Sequence, residues 1–256
     1  MPDASPKVAL ITGAARRIGR AIARELAADG WAVVVHYNTS QDDARQTVAD
    51  IARQGGRAVA LDADLARENE AAELVERAGQ AFGPLACLVN NASVFRRDTP
   101  ETATRQSWDA HMEVNLRAPF VLTQAFARQL PDGIDGNTVN IIDQRVWNPT
   151  PHFTSYTLSK AGLWTLTRTL ALALAPRIRV NAVGPGPTLP NARQTDEEFE
   201  HQWASMPLRR RVGTDEIAGA VRFILDAPGM TGQMIALDGG QHLGWAQGAQ
   251  SDEATD

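Results

Sequence analysis

The sequence predicts an α/β fold in which a single domain is built around one doubly wound parallel sheet. Short apolar runs of strand type alternate with longer stretches of helical periodicity, an order typical of a parallel sheet with helices on both faces. No linker, repeat or low-complexity segment divides the 256 residues, and an apolar content of 43% is enough for one large core. We therefore expect a Rossmann-type architecture of about seven strands.

The individual elements follow from this alternation in chain order. Strands are predicted at Val8–Ile11, Ala32–His36, Val59–Leu61, Leu85–Asn90, Thr138–Ile142, Arg179–Val183 and Met234–Leu237. Helices are predicted at Ile18–Asp29, Asp42–Arg53, Asn69–Phe82, Arg105–Gln129, Ser155–Ala175, Asp196–Trp203 and Thr214–Leu225. We expect the domain to occupy residues 1–245 and the small, polar tail 246–256 to be frayed.

Composition argues against several classes of protein. The single cysteine, Cys87, excludes an intramolecular disulfide and suits a reducing cytosol, and its apolar neighbours predict an inert core thiol. The five histidines do not recur at metal-ligand spacing, so we assign no metal. A net charge of −5 argues against a nucleic-acid partner. With no signal segment or membrane-spanning run, we expect a soluble, cytoplasmic protein without a membrane partner.

The first strand ends in a glycine-containing turn, T-G-A-A-R-R-I-G-R-A. Gly13 permits a tight turn, Gly19 lets the following helix approach the strand, and free amides at the helix start can hold a pyrophosphate. The alternative is an ordinary strand-to-helix turn, since Arg17 stands where a middle glycine is expected. The residues assigned to dinucleotide binding are Gly13, Arg16, Arg17, Ile18 and Gly19.

The end of the second strand indicates which dinucleotide fits. NAD sites usually carry an acidic residue there, whereas this strand ends H-Y-N-T-S, with no carboxylate to repel a 2′-phosphate. The N-T-S run can donate hydrogen bonds to that phosphate, and Arg16 or Arg17 can supply charge, so NADPH/NADP+ is the predicted cofactor. The same run can also cap the next helix. The residues placed at the adenosine end are His36, Tyr37, Asn38, Thr39 and Ser40.

Two further strand ends complete the predicted cofactor site. The run D-A-D-L suits the edge and face of an adenine, and the small residues of N-N-A-S let a nicotinamide ribose approach the backbone. Phe95 then places a ring near the mouth of the site, unless it simply packs under a loop. The residues assigned here to the cofactor are Asp64, Leu65, Asn91, Ala92 and Ser93.

The stretch from Asn140 to Lys160 carries the candidate proton-transfer groups. Tyr156 and Lys160 are four residues apart on one predicted helix face, where their side chains are neighbours. A nearby ammonium stabilises a phenolate and lowers the phenol pKa, which is usually about 10, so Tyr156 could give or take a proton. Taken alone, the same spacing also describes a solvated surface pair.

Several ordered motifs together resemble the short-chain dehydrogenase/reductase family across roughly residues 7–245. They are T-G-x-x-x-x-x-G, D-x-D-L, N-N-A, Asn115 in a long helix, Y-x-x-x-K, and the P-G between Gly184 and Pro187. The resemblance implies that Tyr156 donates a proton, Lys160 binds the nicotinamide ribose and lowers the tyrosine pKa, and Asn115 holds a water in the proton relay. It also places Pro185, Gly186 and Thr188 beside the nicotinamide.

Three departures from the common family pattern point to one branch of the family. Arg17 replaces the middle glycine, Ser93 replaces the last glycine of N-N-A-G, and Asp143 replaces the serine that donates to the substrate oxygen in carbonyl reductases. An ionised aspartate cannot donate a hydrogen bond and would repel a forming alkoxide. The combination resembles the pteridine reductases, including dihydromonapterin reductases, and implies hydride transfer to a C=N bond of a pterin-like substrate.

By that resemblance, Phe95 and the nicotinamide sandwich the pterin, Arg17 and Ser93 contact its polar edge, and Asp143, Tyr156 and Lys160 carry protons. The segment from Thr188 to Met206 is expected to form a mobile lid. Two alternatives stay open: a carbonyl reductase or alcohol dehydrogenase in which Tyr156 suffices, and a catalytically silent NADP(H)-binding protein. The residues expected to shape the substrate pocket are Trp147, Phe153, Leu189 and Trp203, with His152 near the site by sequence.

The predicted helix Ser155–Ala175 is apolar on more than one face, which indicates burial between the sheet and something else. We expect a second subunit there, and the family resemblance implies a homotetramer. The run G-G-Q-H-L-G-W, from Gly239 to Trp245, is a second candidate for contact with a neighbouring subunit.

Overall fold

The computed structural model describes residues 7–190 and 194–244, and its centre is one sheet of seven parallel strands. The strands lie in the order β3-β2-β1-β4-β5-β6-β7, which confirms the predicted α/β fold with a doubly wound parallel sheet. The polar tail 246–256 lies outside the described residues. The strands are β1 (Val8–Ile11), β2 (Ala32–Tyr37), β3 (Arg57–Asp62), β4 (Cys87–Asn90), β5 (Gly136–Ile141), β6 (Ile178–Pro185) and β7 (Met234–Leu237).

Helices cover both faces of the sheet because successive strand residues point to opposite faces. Ile11 and Val35 pack with α1, α2 and α8, whereas Leu10 and Val34 pack with α3, α5 and α6. The helices are α1 (Arg17–Ala28), α2 (Gln41–Arg53), α3 (Glu68–Phe82), α4 (Arg105–Met112), α5 (Ala118–Gln129), α6 (Thr154–Leu174), α7 (Asp196–Ala204) and α8 (Thr214–Leu225). Within the described ranges, none of them has the length and apolar character needed to cross a bilayer.

The strand order reverses at β1, which pairs with β2 on one side and β4 on the other. The chain therefore leaves β1 toward one face and β4 toward the opposite face, opening a crevice at their carboxyl ends. Ligands of doubly wound sheets bind in such a crevice. The segments that follow β1, β2, β4, β5 and β6 all meet there, and these segments carry the predicted site residues.

The predicted single helix Arg105–Gln129 is wrong in its middle. Between α4 and α5 the chain forms a π-helical turn at Glu113–Arg117, and Asn115 lies buried within it. Such turns insert an extra residue into the hydrogen-bond ladder, and they occur frequently at functional sites. The apolar periodicity continues through the turn, so the sequence pattern alone gave no signal of it.

Helix α6 is buried on one side only within this chain. Its inner face carries buried Leu163 and Leu170, but Leu158 is 46% exposed and Leu172 is 84% exposed. The outer face is thus open in the single chain. Cys87 is buried in β4, where desolvation raises its thiol pKa to about 12, so the prediction of an inert core thiol is confirmed.

Candidate active site

Two glycines shape the turn between β1 and α1. Gly13 has φ +63, and a Cβ there would lie 3.0 Å from the Cα of Ala92. A Cβ on Gly19 would lie 2.9 Å from the Cα of Ala14 and would also collide with the carbonyl oxygen of Gly13. The predicted conformational roles of both glycines are confirmed, because each position excludes a side chain.

Arg17 connects this turn to the segment after β6. Its backbone adopts φ +56, a left-handed conformation that is costly for a residue with a Cβ. Its guanidinium donates to the carbonyl oxygens of Pro190 (3.0 Å) and Leu189 (3.2 Å). One side chain therefore ties the turn to the beginning of the predicted lid.

A cavity of about 400 Å³ lies over the carboxyl ends of β1 and β2, within the size range of ligand sites. It is lined by every residue predicted to hold the adenosine, the phosphates and the nicotinamide ribose, apart from Tyr156, Lys160 and the residues at the end of β6 and after it. Its lining includes Gly13, Arg16, Arg17, Ile18, Gly19, Tyr37, Asn38, Thr39, Ser40, Asp64, Leu65, Asn91, Ala92 and Ser93.

His36 lines the same cavity, but both its ring nitrogens contact backbone groups, and its predicted place beside a phosphate stays a prediction. The ring is buried, its Nδ1 accepts a hydrogen bond from the Gly13 amide at 3.0 Å, and its Nε2 lies 3.1 Å from the Ala63 carbonyl oxygen. Since Nδ1 accepts, Nε2 carries the hydrogen. Desolvation lowers the ring pKa to about 4, so His36 is a neutral brace between two loops of the site.

The acid, the phenol and the ammonium meet at the end of β5. Asp143 accepts a hydrogen bond from the Tyr156 hydroxyl at 2.8 Å with one carboxylate oxygen and from the Arg145 amide at 2.9 Å with the other. Lys160 donates to the Ile141 carbonyl oxygen at 2.9 Å, and its Nζ lies 5.8 Å from the centroid of the Tyr156 ring. Helix α6 thus presents both its functional groups to the carboxyl end of the sheet.

Electrostatics at this site differ from the prediction that Lys160 lowers the tyrosine pKa. Desolvation raises the pKa of Tyr156 well above its usual value, and the negative charge of Asp143 raises it further. Burial also lowers the pKa of Lys160 to about 8, with Asp143 opposing that shift. The phenol is therefore held in its protonated form, which is the form a proton donor needs.

Asn115 is fully engaged with protein groups. Its Oδ1 accepts from the Val94 amide at 2.8 Å and from the Ser93 hydroxyl at 3.3 Å. Its Nδ2 donates to the Val94 carbonyl oxygen at 2.9 Å and to the Ser159 hydroxyl at 3.1 Å. The π-helical turn therefore uses Asn115 to join the segment after β4 to helix α6, and the predicted water-holding role stays a prediction.

A second cavity, of about 280 Å³, adjoins the first and shares Arg17, Ile18, Asn91 and Ser93 with it. Together they form one continuous cleft, whose second part we call the substrate cleft. Trp147, His152 and Trp203 do not contribute to its lining, and Trp147 packs instead on the rings of His242 and Trp164. The predicted residues that line it are Arg17, Ser93, Phe95, Asp143, Tyr156, Lys160, Pro185, Gly186, Thr188 and Leu189.

Aromatic rings form one side of the substrate cleft. Phe95 is 43% exposed and stacks on buried Phe153 with ring centroids 4.5 Å apart, and its centroid lies 4.7 Å from that of Tyr156. Phe95 therefore lines the cleft and is not simply hidden beneath a loop. Phe153 supports it from behind, with the Arg145 guanidinium 4.8 Å from the Phe153 ring centroid.

Sequence reasoning missed several residues of the substrate cleft, of which all but Phe199 are polar. Most have no recognisable motif, since they come from a short 3-10 turn after Asp143, from α7 and its approach, and from a 3-10 turn near the end of the described chain. Only their position directly after Asp143 could have indicated Gln144 and Arg145. The missed residues are Gln144, Arg145, Gln194, Phe199, Gln202 and Gln241.

Comparison with known proteins decides the family. A family model described as enoyl-(acyl carrier protein) reductase matches residues 13–242. A 3-oxoacyl-[acyl-carrier-protein] reductase of Synechocystis is 34% identical, with 94% of this chain and 98% of the relative covered. The chain belongs to the short-chain dehydrogenase/reductase family. Enzymes of this family are oxidoreductases that use nicotinamide cofactors.

Two solved short-chain reductases are more similar in sequence. The FolM alternative dihydrofolate reductase 1 of Brucella suis, in complex with NADP, is 48% identical with a TM-score of 0.90, covering 95% of this chain and 98% of that one. Its Brucella canis counterpart, also complexed with NADP, is 46% identical with a TM-score of 0.88, covering 97% and 98%. The match extends over nearly the whole chain.

This short-chain reductase also has a buried polar chain behind its tyrosine that the sequence reasoning missed. His111 accepts from the Arg96 amide at 3.2 Å through Nε2, and its Nδ1 lies 2.7 Å from the Ser155 hydroxyl. That hydroxyl donates to Asp98, which also accepts from the Ser155 amide at 3.2 Å. These hydrogen bonds hold the loop that carries Phe95 against the start of α6.

Proposed function

We propose that this enzyme uses NADPH to reduce a C=N bond of a pterin-like substrate, with Tyr156 as the proton donor. The observation that carries the proposal is the hydrogen bond of 2.8 Å between the Tyr156 hydroxyl and Asp143, which occupies the position of a carbonyl reductase's serine. A carboxylate there accepts hydrogen bonds from amino and ring N–H groups, which a pterin has and a simple ketone lacks.

The cofactor part of the proposal is supported by the lining of the larger cavity. Arg16 and Arg17 supply positive charge, and the N-T-S run supplies hydrogen-bond donors. At the end of β2, where NAD sites usually carry an acidic residue, this chain has no acidic residue. The tight turn at Gly13 and the close approach at Gly19 bring the start of α1 to this cavity, where the first amides of a helix can hold a pyrophosphate. Bound NADPH supplies the hydride. The two Brucella structures, both with NADP, are consistent with this choice.

The proton part is supported by the charges around Tyr156. Its raised pKa keeps the hydroxyl protonated at neutral pH, while Arg145 and Ser93 lower that pKa and so favour the negative charge that remains once the proton has left. Lys160, whose Nζ lies 5.8 Å from the ring centroid, is proposed to assist them. Asp143 holds the Tyr156 hydroxyl in place before proton transfer, and its carboxylate can accept a hydrogen bond from that hydroxyl or from a substrate N–H. Phe95 offers a ring against which a planar heterocycle can stack, while Arg17 and Ser93 stand beside it in the lining.

Carbonyl reduction is the second candidate, because 3-oxoacyl-[acyl-carrier-protein] reductases are among the relatives. Against it stands Asp143, whose negative charge would meet the alkoxide formed by hydride addition. A silent NADP(H)-binding protein is less well supported, since Tyr156, Lys160 and Asp143 are assembled in one cleft.

The wider setting of the proposed function rests on fewer observations. We infer a homotetramer with one NADP(H)-binding domain over residues 1–245 in each subunit, working in the cytoplasm, without a nucleic-acid or membrane partner. The exposed leucines of α6 support the assembly, and the lone reduced-type cysteine suits that compartment.

The test is NADPH consumption with dihydropteridines and dihydrofolate beside a panel of ketones and quinones. We expect pterin turnover by the wild type, and a fall in kcat/KM of about 100-fold or more in Asp143→Ser. Asp143→Asn, which keeps the shape but removes the charge, should lose activity similarly. Binding of NADPH to each variant, measured by the fluorescence of the cofactor, controls for folding. Turnover of carbonyls alone, or an undiminished serine variant, would refute the proposal.

A further inference from the structure

Two glutamines of the substrate cleft have side-chain oxygens without hydrogen-bond donors. The Oε1 atoms of Gln144 and Gln241 are both buried and unpartnered, and among the unpartnered buried side-chain atoms of the described residues only these two belong to residues lining the cleft. Gln144 is itself only 4% exposed. An acceptor buried without a donor is costly, so both positions need a physical explanation.

Gln144 and Gln241 line the same cleft as Asp143 and Tyr156. Gln144 follows Asp143 directly in the first 3-10 turn (Gln144–Val146), and Gln241 begins the second (Gln241–Leu243). The two turns pack together, and the side-chain Nδ2 of Asn148 donates to the backbone carbonyl oxygen of Gln241 at 3.2 Å. Both glutamines are therefore held on rigid backbone.

A buried carboxylate fixes the second turn. Asp238 is 2% exposed and accepts from the Gly240 amide at 3.0 Å and from both the His242 amide and the His242 ring at 2.7 Å. Gln241 lies between these two anchored residues. Its side chain is consequently presented to the cleft by a locked turn, although its position near the chain end suggested only a subunit contact.

We propose that Gln144 and Gln241 form an acceptor subsite that recognises the N–H-rich edge of the substrate. The terminal amide torsion of glutamine is broad, so each Oε1 can turn toward a bound ligand at small cost. With the Asp143 carboxylate, the subsite provides acceptors suited to an amino-substituted pyrimidine ring. A ligand without N–H groups at that edge would leave both Oε1 atoms without a donor, as they are in the free protein. This inference rests on the proposed function and adds the residues that select a substrate with N–H groups at this edge.

Binding of pterin and of pteridin-4-one tests the subsite, because the second ring lacks only the 2-amino donor. Calorimetry on the NADP+-loaded protein should show pterin binding about tenfold or more tighter than pteridin-4-one. In Gln144→Met and Gln241→Met, which keep side-chain volume, that ratio should fall toward one. Gln202→Met is the matched control, since Gln202 lines the cleft but its Oε1 already accepts from Gln194 at 2.9 Å.

The outcomes separate the subsite from the reaction. An unchanged ratio of the affinities for pterin and pteridin-4-one in both methionine variants, or a wild type without preference, overturns the subsite. Pterin turnover that still depends on Asp143 would then leave the proposed function intact. If the wild type neither binds pterin nor reduces dihydropteridines, the proposed function fails and the subsite fails with it. Unchanged NADP+ binding in each variant shows that the fold is preserved.

Discussion

At the scale of single residues, Tyr156 and Asp143 form a pair in which the carboxylate keeps the phenol protonated. Burial alone raises the tyrosine pKa, and the neighbouring charge adds to that effect. A hydroxyl in the same position would lack this charge. The exchange of serine for aspartate thus changes the protonation of the tyrosine as well as the groups the cleft can bind.

His36 should make stability depend on pH. Its ring is neutral in the fold, with a pKa of about 4 against 6.5 in the unfolded chain, so the unfolded state binds more protons between these values. Stability should be complete above pH 6.5 and decrease as pH falls toward about 4. The difference of about 2.5 pH units corresponds to about 3 kcal/mol of unfolding free energy.

Urea unfolding of wild type and His36→Asn at pH 7.5 and pH 4.5 measures this dependence. Asparagine offers a carbonyl oxygen to the Gly13 amide but does not titrate in this range, so its stability should change less between the two pH values. NMR titration of the folded wild type gives an independent reading. An imidazole of His36 that titrates near pH 6.5 in the fold contradicts the prediction.

At the scale of elements, the regular parts of the chain were predictable and the junctions were not. Strands β1 and β7 match their predicted bounds because an apolar run between turn residues is a local signal. The π-helical turn around Asn115 depends on contacts with the segment after β4 and with α6, which sequence periodicity does not report. The same holds for Gln241, which reaches the cleft only through tertiary packing.

Helix α1 begins at a residue that serves both halves of the cleft. Arg17 lines the cofactor cavity and the substrate cleft, and it donates to the carbonyl oxygens of Leu189 and Pro190. Arg17→Ala should therefore raise both the Kd of NADPH and the KM of the substrate by about tenfold each. Arg16→Ala, which removes a neighbouring charge found only in the cofactor cavity, should raise the NADPH Kd and leave the substrate KM unchanged.

Fluorescence titration with NADPH and steady-state kinetics distinguish the two arginine variants. Equal effects of both substitutions on the substrate KM would show that Arg17 acts only through its charge near the phosphates. Limited proteolysis adds a structural reading, since loss of the Arg17 contacts should increase cleavage of the segment 188–206.

At the scale of the whole molecule, the sheet gathers the site at one edge and leaves an apolar face elsewhere. The residues of the cleft lie at or just beyond the carboxyl ends of the strands, or on segments that pack over these ends. Helix α6 carries the buried side chains of Tyr156 and Lys160 near its beginning, and its outer face carries exposed Leu158 and Leu172. Assembly through this face would therefore support the helix that carries Tyr156 and Lys160.

Leu172 gives the test of that assembly. It is 84% exposed and lies with Thr165, Arg168, Thr169 and Ala173 around a shallow concavity on α6. A charge at this position would be desolvated in an interface between subunits, so Leu172→Glu should dissociate the inferred homotetramer into smaller species. Leu208→Glu is the matched control, because Leu208 is 62% exposed but lies outside α6. Light scattering coupled to size exclusion measures the mass, and a monomeric wild type, or dissociation by the Leu208 substitution alone, would contradict assembly through α6.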